Sequence, residues 1–515
     1  MALGRTFAVA LVGLDGYIVE VEADISQCLP AFILLGLPDA SLNEARDRTK
    51  AAAKNAGIPL SRRKITVNLV PASLPKKGSG FDLSILMSAL QAAGDIGPSG
   101  RTVFIAELGL DGRLRPVRGV LPAVMAAVRE GCADVVVAAA NAAEARLVPG
   151  ASVRSFATLA EVLLAFGADP GQLLLSGDGA VPQAAGGEPA ARPALPEPDM
   201  ADVAGQHEAR AAPEIAAAGG HHLVMVGPPG AGKTMLAERL PGILPDLPDH
   251  QAMEDTAIHS LSSTAEQLTE LMRRPPFENP HHTATGPAIV GGGSGVPRPG
   301  AASRAHRGIL FLDEAPEFDR AVLDALRQPL ESGSLVIHRA SGTASYPARF
   351  QLDLAANPCP CGMSGAKGLE CVCSPMQPRR YLGRLSRPLV DRIDLQLTLR
   401  RISMADLSAG GASEPSSSIA GRVRAAREAQ RKRLDRWGLD VNAEAGAALL
   451  RRGLRPPPKA TADLDRAMER QALTARGYSR VLRVAWTVAD LRGLDAPDQD
   501  CVGTALAFRQ QVHAA

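Results

Sequence analysis

Three short segments carry residue types at spacings that suit phosphate chemistry. Gly227-Pro228-Pro229-Gly230-Ala231-Gly232-Lys233-Thr234 matches GxxxxGK[ST] and follows the apolar run Leu223 to Val226, which reads as a buried parallel strand. A glycine-rich loop between strand and helix turns backbone N–H groups toward phosphate oxygens. Lys233 can then reach the β and γ phosphates of a nucleotide, and Thr234 can offer its hydroxyl to Mg²⁺. Further on, Ile309 to Asp313 (ILFLD) is an apolar strand that ends on two carboxylates. Asp313 suits the Mg²⁺ shell, and Glu314 suits polarisation of an attacking water. A third strand, Phe350 to Ala356, ends in Asn357, where a side-chain amide can orient the same water.

A second cluster of chemistry follows at once. Cys359, Cys361, Cys371 and Cys373 form C-x-C, nine residues, then C-x-C, while Cys28, Cys132 and Cys501 are scattered. Four thiolates on two short turns can close a tetrahedral structural Zn²⁺ site, although the commoner C-x₂-C spacing is absent. Paired disulfides, an iron–sulfur cluster and four structural thiols are the other readings; zinc is preferred in a reducing compartment. It would pin the loop between Asn357 and the basic residues Arg379, Arg380, Arg384 and Arg387.

These residues need a sizeable scaffold, and the chain of 515 residues supplies one. Lys plus Arg is 56 against 54 for Asp plus Glu, so any polyanion surface must be local. The 11 Phe, 4 Tyr and 2 Trp leave an aliphatic core and argue against a broad base-stacking platform. No run reaches the length of a membrane span, and the short apolar run Phe7 to Leu14 ends at Asp15, so a cytoplasmic protein without membrane contact is expected. Segment 168–198 has 18 Pro, Gly or Ala in 31 residues and reads as a linker; 406–418 is a weaker seam. Three blocks result: 1–167, an α/β block at 199–405 and a helical block at 419–515.

Taken together, GPPGAGKTMLAERLPGILP (227–245), NPHHTA (279–284), GILFLDEAPEFDRAVLDALRQPLESG (308–333) and NPCPCG (357–362) resemble the magnesium-chelatase-like AAA+ ATPases of the ComM (YifB) group. The resemblance implies an α/β AAA+ P-loop NTPase core with a helical lid, using ATP and Mg²⁺. It implies a helix-2 insert at about Ser262 to Arg307, including Gly291-Gly292-Gly293, and homo-hexameric rings with nucleotide between subunits. Asn357 becomes sensor 1. Arg392 in LVDRID becomes the arginine finger, with Asp391 and Asp394 placed to aim its guanidinium. Arg483 becomes sensor 2 in the lid, with Arg480 one helical turn earlier as the alternative; Trp486 stands where family members often carry Arg.

Residues 1–167 resemble the Lon-protease-like (ribosomal S5 domain 2-like) α+β fold through Val67 to Asp82 and Ala106 to Pro116. The Lon serine falls on Gly80 and its lysine on Leu121, so the Ser-Lys dyad is absent; Ser79 with Lys76 or Lys77 is displaced by one residue. A non-proteolytic collar for assembly or DNA contact is expected. Arg422 to Arg436 has seven basic and two acidic residues and reads as a helix face able to grip phosphates without reading bases. The group's implied function is a DNA helicase or branch-migration motor acting on branched or single-stranded DNA without sequence preference, with recombination proteins as partners. The rival is a protein-remodelling ATPase of the magnesium-chelatase motor-subunit type.

Overall fold

The computed structural model describes residues 3–26, 29–36, 39–60, 64–76, 78–174, 197–203, 207–262, 268–293, 297–339, 342–364, 371–401 and 414–510. Cys28, Lys77 and most of the two linker segments lie outside the described residues.

The amino-terminal unit is built on a seven-stranded mixed sheet. Its order is Ala31–Leu35, Lys64–Val70, Asp15–Ser26, Gly4–Val12, Val103–Ile105, Asp134–Ala138 and Ser152–Phe156. Side chains alternate between faces along a strand, and Gly4–Val12 uses both faces. Ala8 and Ala10 join the core beneath the helix Asp82–Ala93, while Val9 and Leu11 turn to the helix Val120–Arg129. This unit runs further than the 167 boundary: Ala168 and Leu173 are buried in its core, and the Leu174 N–H donates to the Ala56 carbonyl at 3.1 Å.

The second unit is a five-stranded parallel sheet in the order Phe277–Glu278, Ile309–Leu312, Gln351–Ala356, Leu223–Val226, Leu395–Thr398. Its three central strands are buried along their whole length, as expected of a parallel sheet covered on both faces. Leu223, Met225, Ile309 and Phe311 pack toward the carboxy-terminal helices. Val224, Val226, Leu310 and Leu312 pack toward the short helices Ala301–Arg304 and Arg320–Ala325 on the other face.

One feature of this sheet differs from the sequence expectation. Phe277–Glu278 lies inside the stretch assigned to the insert yet is a strand of the core sheet, paired with Ile309–Leu312. The interruption is therefore narrower, between the helices Gly286–Val290 and Ala301–Arg304, where Gly292 and Arg298 bridge antiparallel. In addition, Ser334–Arg339 and Gly342–Pro347 form a hairpin before the Asn357 strand.

Helices Ser416–Leu434, Ala447–Arg452, Pro458–Glu469, Ala475–Leu491 and Gln499–Gln510 make the carboxy-terminal layer. The first begins inside the seam drawn at 406–418. Its Ser416 hydroxyl accepts from the Met200 N–H at 2.8 Å, and its own N–H donates to Asp199 at 2.9 Å, so both ends of the second unit meet there. Trp486 is buried, its indole N–H donates to the Leu454 carbonyl at 2.9 Å, and the Arg433 guanidinium sits 4.4 Å from its ring centre. Arg433 in turn grips Asp490 through two bonds of 2.6 and 2.7 Å. Among the described residues, no helix is long and apolar enough to cross a membrane.

The two units touch through the helix Asp249–Leu261. Its Ala257 joins the apolar cluster of Val120, Leu121 and Val124, and the Gly119 N–H donates to the Ser260 carbonyl at 3.0 Å. Gly119 has φ +74°, a conformation that favours glycine, and a Cβ there would also press on the tips of Leu261 and Leu11.

Candidate nucleotide site

Lys233, Thr234, Asp313, Glu314 and Asn357 all follow the carboxy-terminal ends of three adjacent parallel strands, which is how distant segments converge. The loop Gly227–Gly232 turns sharply: Gly230 and Gly232 have φ of +77° and +86°, values that L side chains rarely adopt. A Cβ on Gly227 would stand 2.8 Å from the Leu399 carbonyl oxygen, so the loop lies tight against the end of the neighbouring strand. The Ala231 N–H closes a turn onto the Pro228 carbonyl at 3.2 Å, while Pro229 sits at the tip.

The Lys233 amine donates to the Gly227 carbonyl at 2.6 Å, the Pro228 carbonyl at 3.2 Å and the Asn357 side-chain oxygen at 3.0 Å. Burial pushes its pKa down against the opposing pull of Asp313 and Glu314. The Thr234 hydroxyl donates to Asp313 Oδ2 at 2.7 Å, and Asp313 Oδ1 accepts from the Glu314 N–H at 2.9 Å. A hydroxyl and a carboxylate oxygen this close suit adjacent corners of a Mg²⁺ octahedron, whose edge is about 3 Å. Thr234 and Asp313 would hold Mg²⁺ there, which would supply positive charge to a bound phosphate.

Glu314 occupies the left-handed region at φ +50°, rare for a residue with a side chain, and its carboxylate is half-exposed. His282 Nδ1 lies 3.3 Å from Glu314 Oε2, and the His281 and His282 rings are 4.2 Å apart. The sequence reading placed NPHHTA in the family pattern but gave His282 no role; the two adjacent histidines were the available signal.

The arginines fall elsewhere. Arg392, Arg480 and Arg483 line a cleft of about 750 Å³ together with His222, Gly308 and Phe350, which precede the core strands. That is the opposite end of the sheet from Lys233, a separation of roughly 10 Å or more of strand. Neither sensor 2 candidate therefore reaches the nucleotide loop of its own chain. Arg480 donates to Asp394 at 2.6 Å and to the Arg392 carbonyl at 2.6 Å; Arg483 donates to the Ala445 carbonyl at 2.7 Å. Burial acts to raise the Asp394 pKa, but Arg480 and His221 outweigh it and hold the carboxylate far below its usual range. Asp394 is thus committed to His221, at 3.1 Å, and to Arg480. It does not aim Arg392, and neither does Asp391, which faces Arg509 at 3.9 Å. Arg392 instead bonds Glu331 and the Pro388 carbonyl. The sequence reading also missed Arg476 on the same cleft wall, which is exposed and makes no ion pair among the described residues.

The basic run 422–436 is partly internal. Arg422 is held by Glu214 and Glu414, Arg427 is half-buried and donates to the Ala217 carbonyl, and Arg433 holds Asp490. In the amino-terminal unit, the Lys76 amine is buried on the Pro71 and Leu74 carbonyls, the Ser79 hydroxyl donates to Glu107, and Leu121 is buried.

The four cysteines do come together. Their sulfurs all lie within 4.8 Å of one another. The Cys359 to Cys361, Cys359 to Cys371 and Cys361 to Cys371 separations are 3.3, 3.7 and 3.6 Å.

Comparison with known proteins adds the lineage. Residues 199–407 match the family "Magnesium chelatase, subunit ChlI", 21–141 match "Subunit ChlI of Mg-chelatase", and 413–509 match "Magnesium chelatase, subunit ChlI C-terminal". An uncharacterised protein of Mycobacterium tuberculosis is 49% identical over 515 residues, 99% of each chain. The competence protein ComM of Haemophilus influenzae is 39% identical over 520 residues, 99% of this chain and 98% of that one. A shorter match, 29% identical over 147 residues, 27% of this chain and 26% of the other, is to Lon protease 2 of Bacillus subtilis. With its P-loop core and Lon-like segment, the chain belongs to the magnesium-chelatase-like AAA+ family, in the ComM (YifB) group.

Proposed function

We propose that this protein is an ATP-hydrolysing ring motor, a homo-hexamer that moves on branched or single-stranded DNA during recombination or natural transformation. In this reading Lys233 holds the β and γ phosphates, Thr234 and Asp313 hold Mg²⁺, and Glu314 takes the proton of the attacking water while Asn357 orients it. The observation that carries the ring is the division of charge across the sheet. The phosphate-binding set lies at the carboxy-terminal strand ends, and Arg392, Arg476, Arg480 and Arg483 lie at the amino-terminal ends. A developing γ-phosphate charge needs a cation, and a neighbouring subunit can bring this face to it.

Support for DNA comes from the relative named as a competence protein and from the exposed Arg379, Arg380, Arg384 and Arg387 beyond the cysteine loop. Such contacts grip phosphates without reading bases. The four cysteines are assigned to one structural Zn²⁺. A protein-remodelling motor is the second reading, favoured by the magnesium-chelatase subunit descriptions of all three matched segments.

ATPase assays with forked and four-way DNA separate the two readings. Stimulation that weakens steeply with salt is expected, because phosphate contacts release counterions. Basal ATPase that no DNA structure stimulates would contradict the DNA motor and leave the remodelling reading.

A further inference from the structure

The zinc assigned above has a place in the nucleotide site itself. Zinc–thiolate bonds of about 2.3 Å set tetrahedral sulfur separations of about 3.8 Å. The 3.7 and 3.6 Å separations match that edge, the 3.3 Å one falls short of it, and all four sulfurs lie within 4.8 Å of one another, whereas a disulfide would bring a pair to about 2.0 Å. The Ser364 N–H donates to Cys359 Sγ at 3.3 Å, the kind of outer contact that orients a metal-bound thiolate.

The same loop leans on the phosphate-binding loop from two sides. Gly362, one residue after Cys361, has φ +77°, and a Cβ built there would stand 2.6 Å from Pro229 Cδ at the tip of the nucleotide loop. Two residues before Cys359, the Asn357 side chain accepts from the Lys233 amine at 3.0 Å. Cys359 is fully buried between these contacts. We infer that the Cys359, Cys361, Cys371 and Cys373 site, resting on the zinc reading, is a clip that holds the nucleotide loop in its binding shape, so that ATP affinity depends on the metal. Four ligands separated by at most fourteen residues of sequence fix a loop that has little apolar core of its own: Val372 is 86% exposed and Met376 56%. With the metal gone, the described residues of this loop offer only backbone turns, the buried Cys359 and the Asn357–Lys233 bond to keep Gly362 against Pro229.

Two variants and one treatment test this on the full-length protein. Metal analysis of protein purified without added zinc should give about one zinc per chain. Chelator-stripped protein, checked by circular dichroism, should bind a fluorescent ATP analogue with Mg²⁺ roughly tenfold or more weakly than the loaded protein, and regain affinity on zinc addition. Cobalt uptake should give the visible bands of a tetrathiolate site. Cys371→Ser should behave like the stripped protein. Gly362→Ala keeps all four ligands but forces Cβ into Pro229; it should retain zinc and lose affinity. Stripped protein or Gly362→Ala that binds the analogue as tightly as the loaded parent overturns the clip while leaving the zinc site in place. Protein that neither contains nor takes up metal overturns both the clip and the zinc reading. A zinc-loaded parent that binds no ATP overturns the ATPase reading and the clip together.

Discussion

Glu314 is held in a backbone conformation that most residues avoid, with His282 Nδ1 3.3 Å from its carboxylate. Strain of this kind persists where surrounding structure fixes it, and here it accompanies the contact of the carboxylate with His282. On the proposed mechanism Lys233→Ala weakens ATP binding about tenfold to a hundredfold, the scale of a lost charged hydrogen bond. Glu314→Gln keeps ATP but slows turnover by about 10² to 10⁴. His282 acts as a positioning residue: His282→Ala lowers kcat by about tenfold with KM unchanged, part of what the general base itself supplies. His282→Asn, which keeps a polar partner, should restore most of it. Steady-state kinetics with the KM and kcat split checks all three, and a His282→Ala enzyme with parental kcat removes that role. The phosphate-loop residues were legible in the sequence because phosphate chemistry fixes four of the eight positions from Gly227 to Thr234. His282 was not, because its partner lies 32 positions away on another strand end, since 314 minus 282 is 32.

At the scale of elements, the helix Asp249–Leu261 joins the two units and carries a buried acid. Among the described residues neither oxygen of Asp255 has a hydrogen-bond partner, and burial, with Glu254 and Glu278 nearby, pushes its pKa up to about 8. The folded state therefore binds this proton more tightly than the unfolded chain, whose aspartate titrates near 4. Stability from this group is full below about pH 4 and is lost as pH rises toward 8. Asp255→Asn cannot ionise; its thermal midpoint should exceed the parent's by several degrees at pH 9, and the gap should close toward pH 4. Equal differences at both pH values would place the effect elsewhere. Short elements were the least legible. Phe277–Glu278 is a two-residue strand with no periodicity to detect, so the insert was drawn too wide, whereas Ile309–Leu312 announced itself as a continuous apolar run. The cysteine cluster was visible as a count, but its contact with Pro229 depends on how the loop folds back.

For the whole molecule, the decisive feature is that the arginine-lined cleft and the nucleotide loop occupy opposite ends of one sheet. Sequence could name Arg392, Arg480 and Arg483 but could not say at which end they lie. That is set by the packing of Ala475–Leu491 against the amino-terminal strand ends through Asp394, His221 and Thr487. Arg392 is only 12% exposed and engaged by Glu331, so to act as a finger it must exchange Glu331 for a neighbour's phosphate. The Lon-like unit is tied to the P-loop unit through Leu121 and Ala257, which gives the position of the absent lysine a packing role. The central claim is that the ATPase site is completed by a second subunit, and mixing inactive variants tests it most directly. Arg392→Ala and Lys233→Ala proteins, each dead alone, should regain DNA-stimulated ATPase when mixed, because some interfaces then pair an intact Lys233 with an intact Arg392. No recovery in assembled mixtures, or an Arg392→Ala protein that turns over normally by itself, would contradict the shared site.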